Sequence, residues 1–502
     1  MYDLIVIGGG VNGVGIARDA AGRGLSVCLL EKGDLAGATS SASTKLIHGG
    51  LRYLEHYDFK LVADSLNERE RLLRSAPHLI RPMEFILPHE PHLRPAWMIR
   101  AGLFLYDHLG KRTLLEGSKK IDLKDNTAGS PLKETYETGF SYADCRTDDA
   151  RLVISCAMDA RDRGADICPR TECTSLLVKS DDLIWEVEAE DQITGKTRTL
   201  FAKAVVNAAG PWVRQFLDYN ELATSKTYQT RFSKGSHIVV HKLYDGEHAY
   251  ILQQPDGRII FAIPFEREFT LIGTTDALYD DDPADASISK EEIAYLCEAI
   301  NRSFEKPISP KDVIWAYSGV RPLLDSGDEN LSKVTRDYKL DLEEIFGPPL
   351  LNIFGGKLTT FRKLSTQAVD LLAPFYDHIK PAWTDTAILP GGDLEDEDFT
   401  NFRAEKQQEY NWLPPQMIRR LARAYGTMID DVLNNAASKS DLGEHYGDDV
   451  YECEIRHMIR NEWAYTLDDI IWRRSKLGLH ASYSTQMSIK NALPELIKEL
   501  AS

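Results

Sequence analysis

Residues Tyr2–Asp34 read YDLIVIGGGVNGVGIARDAAGRGLSVCLLEKGD. Leu4 to Ile7 form a continuous apolar run, the composition of a strand buried on both faces of a parallel sheet. Gly8, Gly10 and Gly13 follow as GxGxxG. The first permits a tight turn, the second lets backbone approach a pyrophosphate, and the third lets a helix sit close to the strand. A helix running through Ala21 is expected next, its N-terminus presenting free N–H groups to phosphate. LSVCLLE reads as the second strand, and Glu31 at its end is placed to hold a ribose hydroxyl. An acid there, rather than an arginine, disfavours a 2′-phosphate. A lone GxGxxG is weak, but strand, glycines, helix, strand and terminal acid in register specify a Rossmann-like α/β unit. The motif does not say which dinucleotide it holds.

The rest of the chain sets limits. Its 502 residues allow two or three domains, and 43% hydrophobic with 27% charged residues is a globular mixture. A formal charge of −18 argues against nucleic-acid partners, because phosphate backbones would be repelled. The seven cysteines are scattered, without CxxC or zinc-type spacing, as expected of small buried hydrophobes in a reducing compartment. MYDLIVIGGG carries no basic region or cleavage site, and no run of 18 apolar residues occurs. The expectation is a protein on the cytoplasmic side.

Two later stretches favour a flavin over a nicotinamide. AKAVVNAAGPWV (Ala202–Val213) is a strand ending in a small-residue turn at Gly210, where backbone can approach another part of the same nucleotide. PLLNIFGGKLTTFRKLSTQAVDLL (Pro349–Leu372) is a buried strand, a Gly355-Gly356 turn and a helix. That helix N-terminus can face a flavin's pyrimidine edge and stabilise the negative charge of the reduced ring. Taken singly, each is also an ordinary strand–turn–helix unit of an α/β sheet.

TSSASTKLIHGGLRYLE (Thr39–Glu55), KGSHIVV, IGTTD, YSGVRPL and FGGKLTTFRKL occur in this order, and EWAYTLDDIIWRR (Glu462–Arg474) follows. Together they resemble the FAD-dependent glycerol-3-phosphate dehydrogenases over nearly the whole chain. The resemblance implies FAD as cofactor, sn-glycerol 3-phosphate as substrate, quinone as acceptor, a homodimer, and peripheral attachment to the inner face of the cytoplasmic membrane. Calcium control, as in EF-hand-bearing relatives, is not supported, since DLEDEDF lacks the glycine and the ligand spacing.

A discontinuous FAD domain is expected at 1–75, 145–225 and 340–375, with a substrate domain at 76–144 and 226–339. Alternating strands around a Pro-Asp-Gly turn in Ala249–Asp276 give that second domain antiparallel sheet. After the acidic linker LPGGDLEDEDF, helical spacing predicts an all-helical C-terminal cap over 388–502.

In the light of that resemblance, Thr39, Ser40, Ser41, Ser43 and Lys45 are expected along the cofactor's ribityl and pyrophosphate part. Gly49 and Gly50 let the chain pass the isoalloxazine, and Leu358 and Thr359 join Gly355 and Gly356 at its edge. Arg52, Tyr53, Arg336 and Lys357 are expected at the substrate phosphate, where arginine supplies a fork and lysine a point charge. His48 is a further substrate-side candidate, although a histidine beside glycines also bonds backbone. His237 is expected to take the hydroxyl proton and Arg321 to polarise the C2 oxygen. A core histidine is the usual alternative for His237, and a surface ion pair for Arg336.

LRPAWMIRAGLFLYDHLGKR (Leu93–Arg112) clusters apolar residues among Arg94, Arg100, Lys111 and Arg112. It suits either a helix lying in a membrane interface or a buried helix of the substrate domain. Competing functions are an oxygen-using oxidase of glycerol phosphate or an amine, a noncatalytic redox-sensing flavoprotein, and an NAD-dependent dehydrogenase. An amine oxidase has no use for several phosphate-binding cations.

Overall fold

The computed structural model describes residues 1–501 except 91–94, 112, 180 and 325–336. The Tyr2–Ile7 run is the centre of an eight-stranded sheet, paired in parallel with Val27–Glu31 on one side and Thr197–Asn207 on the other. Leu350–Phe354 and Asp166–Pro169 extend it in parallel, and the Lys339–Glu343 strand closes one edge antiparallel. Leu4, Ile5 and Val6 are fully buried, each side chain worth about 1.5–3 kcal/mol of burial. The helices Val11–Gly22, Asp149–Asp162 and Phe361–Leu372 pack on one face in a shared apolar core. The hairpin Thr171–Lys179/Ile184–Asp191 is attached to Thr197–Asn207.

A second, ten-stranded sheet is antiparallel apart from one parallel pairing, Arg81–Pro88 with Ala249–Gln253. Its long strand Thr230–His241 pairs with Phe269–Gly273 and Val313–Leu324, and its far edge is Thr138–Arg146 with the two-residue strand Leu46–Ile47. A chain that leaves the nucleotide turn therefore enters the second sheet at residue 46, which brings the Thr39–Glu55 stretch to the junction of the two sheets.

The cap is built from the helices Phe399–Glu409, Pro415–Tyr425, Glu452–Glu462 and Tyr483–Ala501 around a separate apolar core. It also holds a short ribbon, His445–Gly447 with Val450–Tyr451, which helical spacing does not announce. The Gly447-Asp448-Asp449 turn, with three positive φ angles, breaks the helical path there.

Candidate functional site

Gly8 has φ +109, and a Cβ there would stand 2.5 Å from the Ala208 carbonyl oxygen. At Gly13 a Cβ would stand 1.9 Å from the Gly8 carbonyl, so the helix crosses the turn closer than any side chain allows. Gly10 caps the helix without a side chain, and the N–H of Val11 donates to Ser40 Oγ at 2.9 Å. The Glu31 carboxylate accepts from the Gly9 N–H at 2.6 Å and the Gly33 N–H at 2.7 Å. Burial raises its pKa against those two bonds.

The second glycine turn closes over the same helix. Asn12 Nδ2 donates to the Gly355 carbonyl at 3.1 Å, while Asn12 Oδ1 is buried and has no hydrogen-bond partner among the described residues. Thr360 Oγ1, at the start of the Phe361–Leu372 helix, is a second buried oxygen without a partner. Gly210 has φ +57 and open space where a Cβ would stand. Two helix N-termini, glycine-only turns and orphaned polar oxygens fit a dinucleotide with a pyrophosphate and a hydrogen-bonding ring. Held there, a flavin would accept hydride from a substrate carbon.

The Thr39–Glu55 stretch binds this region to the second sheet. Thr39 Oγ1 donates to the Val320 carbonyl at 2.7 Å, and Ser41 Oγ to the Ala38 carbonyl at 3.3 Å. Ser43 Oγ donates to Asp149 at 2.7 Å. Lys45, in left-handed conformation, donates its ammonium to Asp149 at 2.8 Å and to the Ser41 carbonyl at 2.8 Å. Burial presses its pKa down, while Asp149 opposes that. Lys45 and Ser43 thus spend their polar groups on Asp149. Gly49 is pinned from behind: its N–H donates to Tyr106 Oη at 2.8 Å, and Tyr106 donates to Asp144, which Arg69 holds at 2.6 Å.

Past the glycines, the structure gathers the rim of the site. The N–H of His48 donates to Thr359 Oγ1 at 3.2 Å. Gly50 has φ +78, and a Cβ there would stand 2.2 Å from the Tyr53 ring. The Lys357 ammonium lies 3.9 Å from the centre of that ring. Tyr53, Lys357, His48, Gly49, Gly50 and Thr359 are therefore brought together beside the Gly355-Gly356 turn, with Leu358 half-buried between them. Arg52, next to Tyr53, lines a cavity of about 190 Å³ with Glu55, Gln254 and Arg258. Arg336 lies outside the described residues.

His237 is fully buried. Its Nε2 shares a hydrogen bond with Thr44 Oγ1 at 3.0 Å, and its ring stacks on Tyr317 with centroids 4.9 Å apart. Burial, then the Arg321 and Lys45 charges, hold its pKa well below the ordinary imidazole value. Its Nδ1 is buried without a hydrogen-bond partner among the described residues, so one ring nitrogen is left for a group the chain does not supply. Arg321 is half-buried on the neighbouring strand, with Nη2 3.1 Å from where a Gly235 Cβ would stand.

Sequence reasoning missed Asn12, Thr44, Asp144, Asp149, Tyr106 and Tyr317. Asp149 had one local signal, the Asp148-Asp149 pair opening an apolar helix, which reads as a cap. The others act across more than 30 positions and leave no local pattern.

A doubly anchored dinucleotide turn, a second glycine turn at the ring end and an antiparallel substrate sheet define a flavin-dependent oxidoreductase. Residues 3–360 match the FAD dependent oxidoreductase family, and residues 382–502 match the C-terminal domain of alpha-glycerophosphate oxidase. The glycerol-3-phosphate dehydrogenase of Pseudomonas aeruginosa is 50% identical, covering 97% of this chain and 94% of that protein. The aerobic glycerol-3-phosphate dehydrogenase of Escherichia coli is 49% identical over 99% and 98%. The D-erythritol 1-phosphate dehydrogenase of Brucella abortus is 48% identical over 95% of each chain. The crystal structure of a glycerol-3-phosphate dehydrogenase from Bacillus halodurans complexed with FAD superposes with a TM-score of 0.80. It is 29% identical, and the match covers 100% of this chain and 91% of that one. The chain belongs to the FAD-dependent glycerol-3-phosphate dehydrogenase family, and FAD is its cofactor.

Proposed function

We propose that this enzyme oxidises sn-glycerol 3-phosphate to dihydroxyacetone phosphate and passes the electrons to a membrane quinone. The observation that carries the reading is the Lys357 cation lying on Tyr53 beside the Gly355-Gly356 turn. It sets a phosphate-binding charge next to the ring end of the cofactor site. Lys357 and Tyr53 hold the phosphate, and Arg321 polarises the C2 oxygen and steadies its negative charge as the proton leaves. His237 takes that proton through Nδ1, which is buried without a hydrogen-bond partner among the described residues, while Thr44 Oγ1 holds Nε2 at 3.0 Å. A His237→Asn variant should lose most of its activity while keeping its flavin, whereas His48→Asn should lose less, measured as the rate of flavin reduction.

The quinone reading draws support from the Ala96–His108 helix. Ile99, Leu103 and Tyr106 are buried, while Trp97 (70% exposed), Met98, Phe104 and Leu105 face outward. Leu93, Arg94 and Arg112, at the ends of that stretch, lie outside the described residues. Among the described residues no helix is long and apolar enough to cross a membrane. An outward apolar face of this kind suits a bilayer interface.

Anaerobic visible spectroscopy tests the reaction. sn-Glycerol 3-phosphate should bleach the flavin band, and a quinone analogue should restore it. D-Erythritol 1-phosphate, run in parallel, should bleach it more slowly. A yellow protein unaffected by either sugar phosphate overturns the proposal, and faster bleaching by D-erythritol 1-phosphate reassigns the substrate.

A further inference from the structure

At the end of the second sheet farthest from Pro88, Arg81 and Arg146 stand opposite one another across antiparallel strands. The cap brings Arg423 to the same place on its Pro415–Tyr425 helix. Arg423 Nε and Nη1 are buried without a hydrogen-bond partner among the described residues, and its guanidinium lies 3.4 Å above the Phe399 ring. Arg146 donates to one neutral acceptor, the Pro264 carbonyl, at 2.9 Å. The Arg81 side chain makes no hydrogen bond or ion pair with any described residue. Arg403 and Arg419 add further positive charge around Arg423.

The charges of Glu266, Glu247 and Asp148 reach Arg146, but none of these carboxylates forms an ion pair with the three arginines among the described residues. Glu247, 79% exposed, faces Arg419 at 4.0 Å. Glu266 pairs with His480 at 3.6 Å, and Asp148 with Lys476 at 2.9 Å. Burial, followed by the neighbouring guanidinium groups, pushes Arg81 and Arg423 well below the ordinary guanidinium value, and burial does the same to Arg146. Three partly buried, mutually repelling cations are an expensive arrangement for an unliganded protein. It is stranger still in a chain of net charge −18.

We propose that Arg81, Arg146 and Arg423 form an anion site for a phosphate-bearing ligand between the cap and the second sheet, distinct from the flavin site. Three guanidinium forks match a dianion with three acceptor oxygens better than a single carboxylate. The cluster is built from the Arg81 end of the sheet and the Pro415–Tyr425 helix of the cap, whereas Tyr53, Lys357 and Thr359 meet beside the Gly355-Gly356 turn. A ligand there would tie the cap to the sheet and be released when they part.

The test uses the FAD-loaded full chain at constant ionic strength. Inorganic pyrophosphate is titrated calorimetrically into wild type, Arg423→Gln and Arg81→Gln, and sedimentation is run with phosphatidylglycerol and phosphatidylcholine vesicles. The expected result is pyrophosphate binding beyond the substrate site, at least tenfold weaker in both variants, with KM for sn-glycerol 3-phosphate changed less than twofold. Variant-sensitive binding to phosphatidylglycerol vesicles, with pyrophosphate indifferent, assigns the phosphate to a lipid headgroup and also supports the site. Equal binding by all three proteins in both arms overturns the proposal, as does a loss of binding seen only with an equal loss of substrate affinity. If Arg423→Gln does not fold, Arg81→Gln, half-buried at the start of its strand, decides alone.

Discussion

Arg151, from the Asp149–Asp162 helix, reaches Glu462 of the cap at 2.6 Å and the Ala424 carbonyl at 2.8 Å. Nearby, Arg473 and Arg474 grip Asp34, and Arg474 also donates to the Glu462 carbonyl at 2.9 Å. One residue before Ala424, Arg423 meets Arg81 and Arg146, and the acids whose charge reaches them, Glu247 and Glu266, form no ion pair with any of the three among the described residues. The cap thus docks through two arginine clusters, one ion-paired to acids and one without a directly paired carboxylate among the described residues. Saturated charges lock a position, because removing either partner strands the other. An unsaturated cluster stores a penalty that only an added anion relieves.

The sharpest break of this contrast is Arg151→Met. Glu462 would be left buried with the His457 ring 3.6 Å away, so stability should fall by about 3–5 kcal/mol in urea unfolding. A loss below about 1 kcal/mol would mean that the saturated half does not hold the cap.

Asp34 extends the contrast to the cofactor. It sits in the loop after Glu31, where Ala36 N–H donates to the Gly9 carbonyl at 3.1 Å and Arg170 N–H to the Gly33 carbonyl at 2.8 Å. The cap arginines therefore steady the loop that lies against the dinucleotide turn. Asp34→Asn should weaken FAD retention roughly tenfold, about 1.4 kcal/mol, measured as flavin released on dilution. Arg151→Met, which leaves that loop alone, should keep its FAD up to its unfolding transition. If both variants shed FAD alike, loose docking rather than the Asp34 contact is responsible.

Much of the fold was legible because it is local. The apolar run, the three glycines, Glu31 and the Gly355-Gly356 turn each declare themselves within a dozen residues, and the structure gives them the expected strand–turn–helix geometry. The Tyr53–Lys357 meeting was anticipated from the resemblance; its contact joins residues some 300 positions apart. What the sequence hides is how polar groups are shared. Lys45 reads as a ligand-facing cation in a hydroxyl-rich loop, yet Asp149 takes its ammonium.

Acid separates the two halves by pH window. Burial, then the charges of Arg151 and Arg423, hold His78 down to about 3. Its folded pKa lies below the unfolded value near 6.5, so its stabilisation is complete above pH 6.5 and drains away toward pH 3. Glu462 is held to about 2, mainly by Arg151 against its burial, so its contribution is complete above pH 4.5 and is lost toward pH 2. Each group adds a slope of about 1.4 kcal/mol per pH unit within its window. A His78→Asn variant should therefore be less stable than wild type at pH 8, with the gap narrowing by pH 5. A gap that stays constant would show that His78 is already charged or open to solvent.

The smallest effect is the most pointed. Arg81→Met removes one of three repelling guanidinium groups and breaks no hydrogen bond or ion pair with a described residue. Its stem already lies along buried surface, which a methionine covers nearly as well. In the absence of phosphate the variant should therefore match wild type or exceed it by up to about 1 kcal/mol, against the general trend of buried substitutions. Saturating pyrophosphate should reverse the order, because only wild type gains the binding free energy of the occupied site. A variant that is less stable than wild type in both conditions would mean that Arg81 is already satisfied, and the two halves of the junction would no longer differ.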